Sequence, residues 1–162
     1  MPINTAKVRL RTLHFQTPDQ ALAEAERIAH SSRAGKLQTL GNWTPGQTLS
    51  HLAWWIEAID QPDKAPPLPW FVKLLGPVIK NKLITSTPKP GAKLPGAPTG
   101  THGDAPATLD EGLTRFRAAV QRLNQGNFPP RHPVFGKMSQ QDWLNLHLRH
   151  AELHLGFLQP SS

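Results

Sequence analysis

The sequence predicts an all-α fold, a four-helix bundle with one long crossover, on three observations. Four stretches repeat apolar residues every three or four positions. Each opens on a Ser or Thr followed three residues later by Gln, Glu or Asp, the pattern of a capped helix start. Between the second and third stretches the periodicity gives way to proline and glycine. A chain of 162 residues suits one domain with one core, spanning 1–162.

The N-terminal stretch from Val8 to Phe15 is predicted to be extended and to lie against the bundle. Helix one starts at Thr17-Pro18-Asp19-Gln20. In such a capping box the threonine hydroxyl accepts the backbone N–H of the third helical residue, whose side chain reaches back. Pro18 falls where a missing N–H costs nothing, and Leu22, Ala25, Ile28 and Ala29 form the apolar stripe. Helix two repeats the design with Thr44-Pro45-Gly46-Gln47 and the stripe Leu49, Leu52, Ala53, Ile56 and Ile59. Helix three follows Thr108-Leu109-Asp110-Glu111 and buries Leu113, Phe116, Val120 and Leu123. Helix four follows the variant box Ser139-Gln140-Gln141-Asp142, with Trp143, Leu146, Leu153 and Phe157 on one side. Each helix alone is marginal in water, so the four stripes must face one another.

The crossover, about 60–107, holds nine prolines between Pro62 and Pro98. Within it, Trp70-Phe71-Val72-Lys73-Leu74-Leu75 and Val78 to Ile84 flank Pro77 and predict a short helix covering one end of the bundle. Charge concentrates here too. The chain carries +7, and Lys64, Lys73, Lys80, Lys82, Lys89 and Lys93, with no acid from Lys64 to Gly103, supply most of it. Long loops in compact domains serve as lids or binding loops. The alternative is a solvated insertion whose aromatics plug the core.

Zero cysteines exclude disulfides, thiolate-ligated metal clusters and catalysis by the protein's own thiol. No apolar run approaches a bilayer span, and the N-terminus lacks a basic stretch followed by an apolar block, which predicts a cytoplasmic protein.

Three of the eight histidines fall between His147 and His154. At roughly 100° per residue, His147, His150 and His154 lie within about 60° of one another, on the side of Trp143 and Phe157. They cannot share one ion, because positions 147 and 154 are about 10 Å apart along the axis. His150 and His154 have the i, i+4 spacing that brings two imidazoles to one metal, while His147 with His150 is a poorer pair. A third ligand must come from another helix, and His51 in helix two, four residues before Trp55, is the candidate. Three neutral imidazoles leave positions for water or substrate, as catalytic sites do. The alternative is that these are core histidines hydrogen-bonded to carbonyls. His14, His30, His102 and His132 read as surface or capping residues, His30 favouring its helix dipole when protonated.

The string Gly41-Asn42-Trp43-Thr44-Pro45-Gly46-Gln47-Thr48-Leu49-Ser50-His51-Leu52-Ala53 resembles the entry to helix two of the DinB/YfiT-like superfamily of metalloenzymes. The stretch from His132 to Leu158, and Arg11-Thr12-Leu13-His14-Phe15, resemble an uncharacterised branch of it, leaving the lysine-rich insertion unmatched. The resemblance implies a four-helix bundle, often dimeric. It also implies one divalent ion, zinc or nickel, held by a histidine of helix two and a His-x-x-x-His pair of helix four, here His51, His150 and His154. Leu153 and Glu152 depart from the superfamily pattern, which often has a second histidine just before the last ligand. Relatives use the ion to bind a low-molecular-weight thiol.

The expected function is therefore a metal-dependent transferase or hydrolase. It would move a low-molecular-weight thiol, or use metal-activated water, on a small and anionic substrate drawn by the insertion's lysines. Glu57 and Glu152 are the candidate bases. The rival expectation is a non-catalytic, stress-associated module whose Trp70, Phe71, Lys73, Lys80 and Lys82 dock on anionic lipid or nucleic acid.

Overall fold

The computed structural model describes residues 2–61, 70–94, 97 and 99–161, with the helix backbone alone at 70–74. Among these residues the chain forms α1 (Pro18–Arg33), α2 (Pro45–Glu57), α3 (Trp70–Thr85), α4 (Leu109–Asn124) and α5 (Gln140–Leu155). Helices α1, α2, α4 and α5 are the four predicted from capping and periodicity. Helix α3 is the one predicted around Pro77; it packs on α5 and is four turns long.

The fold is mainly helical with small antiparallel sheets, which corrects the all-α four-helix bundle. Strand β1 (Leu37–Thr39) pairs with β4 (Leu158–Pro160), and β2 (Arg131–His132) pairs with β3 (Gly136–Lys137). Strands of two or three residues are too short for alternation to show in sequence. Tertiary pairing, not intrinsic propensity, creates them.

Two of the four predicted capping boxes close fully. Thr108 with Glu111 and Ser139 with Asp142 make both reciprocal bonds. At Thr17 and Thr44 only the hydroxyl half forms. The two glutamine side chains bond elsewhere, one as acceptor and one as donor. Gln20 accepts from the Gln16 N–H instead, and Gln47 Nε2 donates to the Asp104 carbonyl at 2.6 Å, pinning the end of the crossover to the start of α2.

The core gathers Ile28, Leu49, Leu52, Phe116, Val120 and Leu155, each almost inaccessible. Among the described residues helices α2 and α4 make the most extensive contact. At its N-terminal end a Cβ on Gly46 would stand 2.3 Å from the Thr108 carbonyl oxygen, and one on Gly112 would stand 2.2 Å from that of Gly46. The helices meet there backbone to backbone, which only glycine permits. Arg115 adds two bonds to the Glu57 carboxylate and one to Ser50 Oγ across the same interface.

The N-terminal arm lies against α5, as expected. Arg11 donates its backbone N–H to the Gly156 carbonyl, and Phe15 is buried. The fastening is Glu152, a fully buried carboxylate of α5. It accepts the Phe15 N–H at 2.7 Å and the Thr87 hydroxyl, and it pairs with Arg149 at 3.0 Å. Arg149 in turn donates to the Phe15 carbonyl. One side chain therefore ties the arm, the chain beyond α3 and α5 together. No described helix is long and apolar enough to cross a membrane.

Candidate metal centre

The cap at Thr44 fixes where α2 begins and so places His51 two turns in, on the side that faces α5. On α5 the i, i+4 spacing stacks His150 and His154 one turn apart. The Nε2 atoms of His51 and His150 stand 3.3 Å apart. Two nitrogens on one tetrahedral zinc stand roughly 3.3 Å apart as well, as 2.0–2.1 Å bonds require. One ligand atom from each of His51, His150 and His154 lies within 4.8 Å of the others. The ring centroids are 4.5 to 5.1 Å apart. Among the described residues this is the one group of three or more metal-ligating side chains so placed. The three residues singled out by spacing are thus brought to one point.

Electrostatics favour lone pairs at this point. Burial pushes the pKa of His51 down to about 4, against the charge of Asp104. Burial, followed by the neighbouring imidazoles, holds His150 and His154 well below the usual histidine value. All three are neutral at pH 7, the form that ligates a metal. His51 is the deepest, at 0% exposure, and its Nδ1 is buried with no hydrogen-bond partner.

Indole rings enclose the imidazoles. Trp43 stacks on His154 at 5.4 Å with an 8° interplanar angle and reaches His51 at 4.7 Å. Trp55 presents its edge to His51 and His150. Trp55 was visible in the sequence as the residue one turn after His51. Trp43 was missed as part of the site; its signal was an apolar residue just before the Thr44 cap, where staple residues sit.

His150 and His154 form part of the wall of a cavity of about 960 Å³, at the upper end of the usual range for ligand sites, with His51 behind them. His147 stands outside the group, so the preferred His150–His154 pairing, and not the poorer one of His147 with His150, is the one brought to His51. It stacks on Trp143 at 6.2 Å, and its Nε2 is buried without a partner. Burial and the nearby His132 push its pKa down to about 3. His132 is half-buried and caps its own turn, with Nδ1 accepting the Val134 and Phe135 N–H groups. That fixes its proton on Nε2. His14 meets Arg149, and His102 stacks against Trp54.

The candidate bases are engaged elsewhere. Glu57 is paired with Arg115, Glu152 is consumed by its three partners, and neither lines the cavity. The crossover lysines divide. Lys80 pairs with Asp142 at 3.3 Å, Lys82 is exposed, and Lys89 and Lys93 line the cavity. Lys64 and the side chains of Trp70, Phe71 and Lys73 lie outside the described residues.

The chain belongs to the family described as protein of unknown function (DUF1569), whose model matches residues 7–161. This corrects the resemblance to the DinB/YfiT-like superfamily, to which nothing ties this family. The strings that suggested it combine a helix cap with histidines at helical spacing, a pattern that any helical protein gathering imidazoles can share. No curated protein and no solved structure matches the chain.

Proposed function

We propose that the protein is a divalent-metal-dependent enzyme acting on a small molecule bound in the cavity beside His51, His150 and His154. The observation that carries this reading is the convergence of three neutral imidazoles, two of them in the cavity wall. A nitrogen-only donor set fits zinc or nickel. A divalent ion on three neutral nitrogens keeps its full charge and lowers the pKa of a bound water or low-molecular-weight thiol toward neutrality, which supplies a nucleophile at pH 7. A borrowed thiol would suit a chain with no cysteine of its own.

The protein's residues have separate tasks in this scheme. His150 and His154 ligate from the cavity wall, His51 ligates from behind, and Trp43 and Trp55 restrict how the rings can turn. Trp55 Nε1–H, buried without an acceptor, is a donor within the same wall. The rival reading, docking on anionic lipid or nucleic acid, has less support. Lys80 is committed to Asp142, and Lys89 and Lys93 line the cavity.

Elemental analysis of untagged protein tests the proposal, since a polyhistidine tag would bind metal itself. One zinc or nickel per chain is expected, retained in His147→Ala and lost in His150→Ala with at least ~100-fold weaker affinity. Wild-type protein that binds no divalent ion below millimolar concentration would overturn it.

A further inference from the structure

The cavity says more than that a small molecule fits. Four of the five tryptophans, Trp43, Trp54, Trp55 and Trp143, line it together with Phe135 and Phe157. Its volume of about 960 Å³ equals that of about thirty waters. A compact, strongly hydrated ligand would leave this aromatic surface wet, so the ligand must have a large apolar body.

Charge in the wall has one sign. No aspartate or glutamate lines the cavity among the described residues, whereas Lys89, Lys93 and Arg131 do. All three are exposed, so they stand where the cavity meets solvent, and none is paired with a carboxylate among the described residues. Deeper in, Trp55 Nε1 and His147 Nε2 are buried polar atoms without partners. Buried polar groups ordinarily have a hydrogen-bond partner, and a ligand carrying an acceptor would give Trp55 its own.

We propose that the cavity binds a hydrophobic carboxylate, its apolar body against the indoles and its charge selected by Lys89, Lys93 and Arg131. This rests on the cavity being the substrate site and names the substrate class. A phosphate-sized polyanion does not fit the same wall, because the cations are at the rim and most of the lining is aromatic or aliphatic. The body is either an aliphatic chain or an aromatic ring system.

The test is a titration of chelator-treated protein, followed by tryptophan fluorescence, with dodecanoate, 2-naphthoate, dodecanol and dodecylamine. At least one carboxylate is expected to bind ~10-fold or more tightly than the alcohol, and the amine weakest. The Lys89→Glu, Lys93→Glu, Arg131→Glu triple variant should lose that preference, its carboxylates binding no more tightly than dodecanol; the replaced residues are exposed, and circular dichroism checks that it folds. Tighter binding of dodecanoate identifies an aliphatic body, and tighter binding of 2-naphthoate an aromatic one. Equal binding of alcohol and carboxylate, or an unchanged triple variant, overturns the proposal. Because the protein is metal-free here, its failure is separable from failure of the metal centre, which ion content alone decides.

Discussion

Helices α5 and α3 are each sixteen residues long and pack against one another, yet they are held by opposite means. Helix α5 starts in a closed capping box and buries Trp143, His147, Leu148, Arg149, Ala151, Glu152 and Leu155. Helix α3 has a proline inside it at Pro77, which removes one backbone hydrogen bond, and it leaves Leu75 and Val78 exposed. One helix is fixed from several sides and carries two of the three histidines. The other, among its described residues, forms cavity wall through Leu75, Gly76, Ile79 and Leu83 and is tied down by Lys80, which bonds Asp142 and the Lys137 carbonyl. Ligand geometry is demanding to fractions of an ångström, whereas an apolar wall need only exclude water. The firmer helix holds the imidazoles accordingly.

The sharpest way to break this contrast is to loosen α5. Glu152→Ala leaves Arg149 without its buried carboxylate and frees the arm and Thr87, so a loss of roughly 3–5 kcal/mol is expected in urea unfolding. A loss below 1 kcal/mol would show that the arm is held by apolar contact and that Glu152 is no anchor.

On α3 the expected effect is smaller. A Cβ on Gly76 would stand 2.0 Å from the Val134 carbonyl oxygen in the turn between β2 and β3. Gly76→Ala must therefore push the helix off the turn, costing about 1–3 kcal/mol in thermal unfolding. No change would mean that α3 shifts freely and has no fixed seat on the hairpin.

The smallest effect lies where the helices are joined by charge. The Ser139 backbone N–H, then Lys80, hold the Asp142 carboxyl below the usual aspartate range. A pKa lower in the folded state stabilises the fold above the unfolded value of about 3.9, and that contribution disappears as pH falls through the folded one. Asp142→Asn should thus lower stability by less than ~1 kcal/mol at pH 7 and by nothing once both proteins are neutral there at low pH. Urea midpoints at the two pH values check it. A gap that persists in acid would assign the effect to packing.

Much of this was legible in advance, for local reasons. Caps at Thr17, Thr44, Thr108 and Ser139 announce helices because hydroxyls satisfy orphan N–H groups within three residues. His150 with His154 was legible because helical spacing alone places them together. Gly46 and Gly112 were not, since a close helix crossing leaves no periodic trace. Nor was the occupation of Glu57 by Arg115, or of Glu152 by the Phe15 N–H and the Thr87 hydroxyl, since those partners are distant in the chain and chosen by packing; only the Arg149–Glu152 pair has a helical i, i+3 spacing.

By itself the amino-acid sequence determined the helices, the sign and location of the excess charge, and which imidazoles could share an ion, because these follow from intervals along one chain segment. Only tertiary structure decided that His51 comes within 3.3 Å of His150, that β1 finds β4, and that four indoles face one cavity. Those distances join residues far apart in the chain. They are set by the mutual burial of apolar faces, a condition on the whole core that no local window contains.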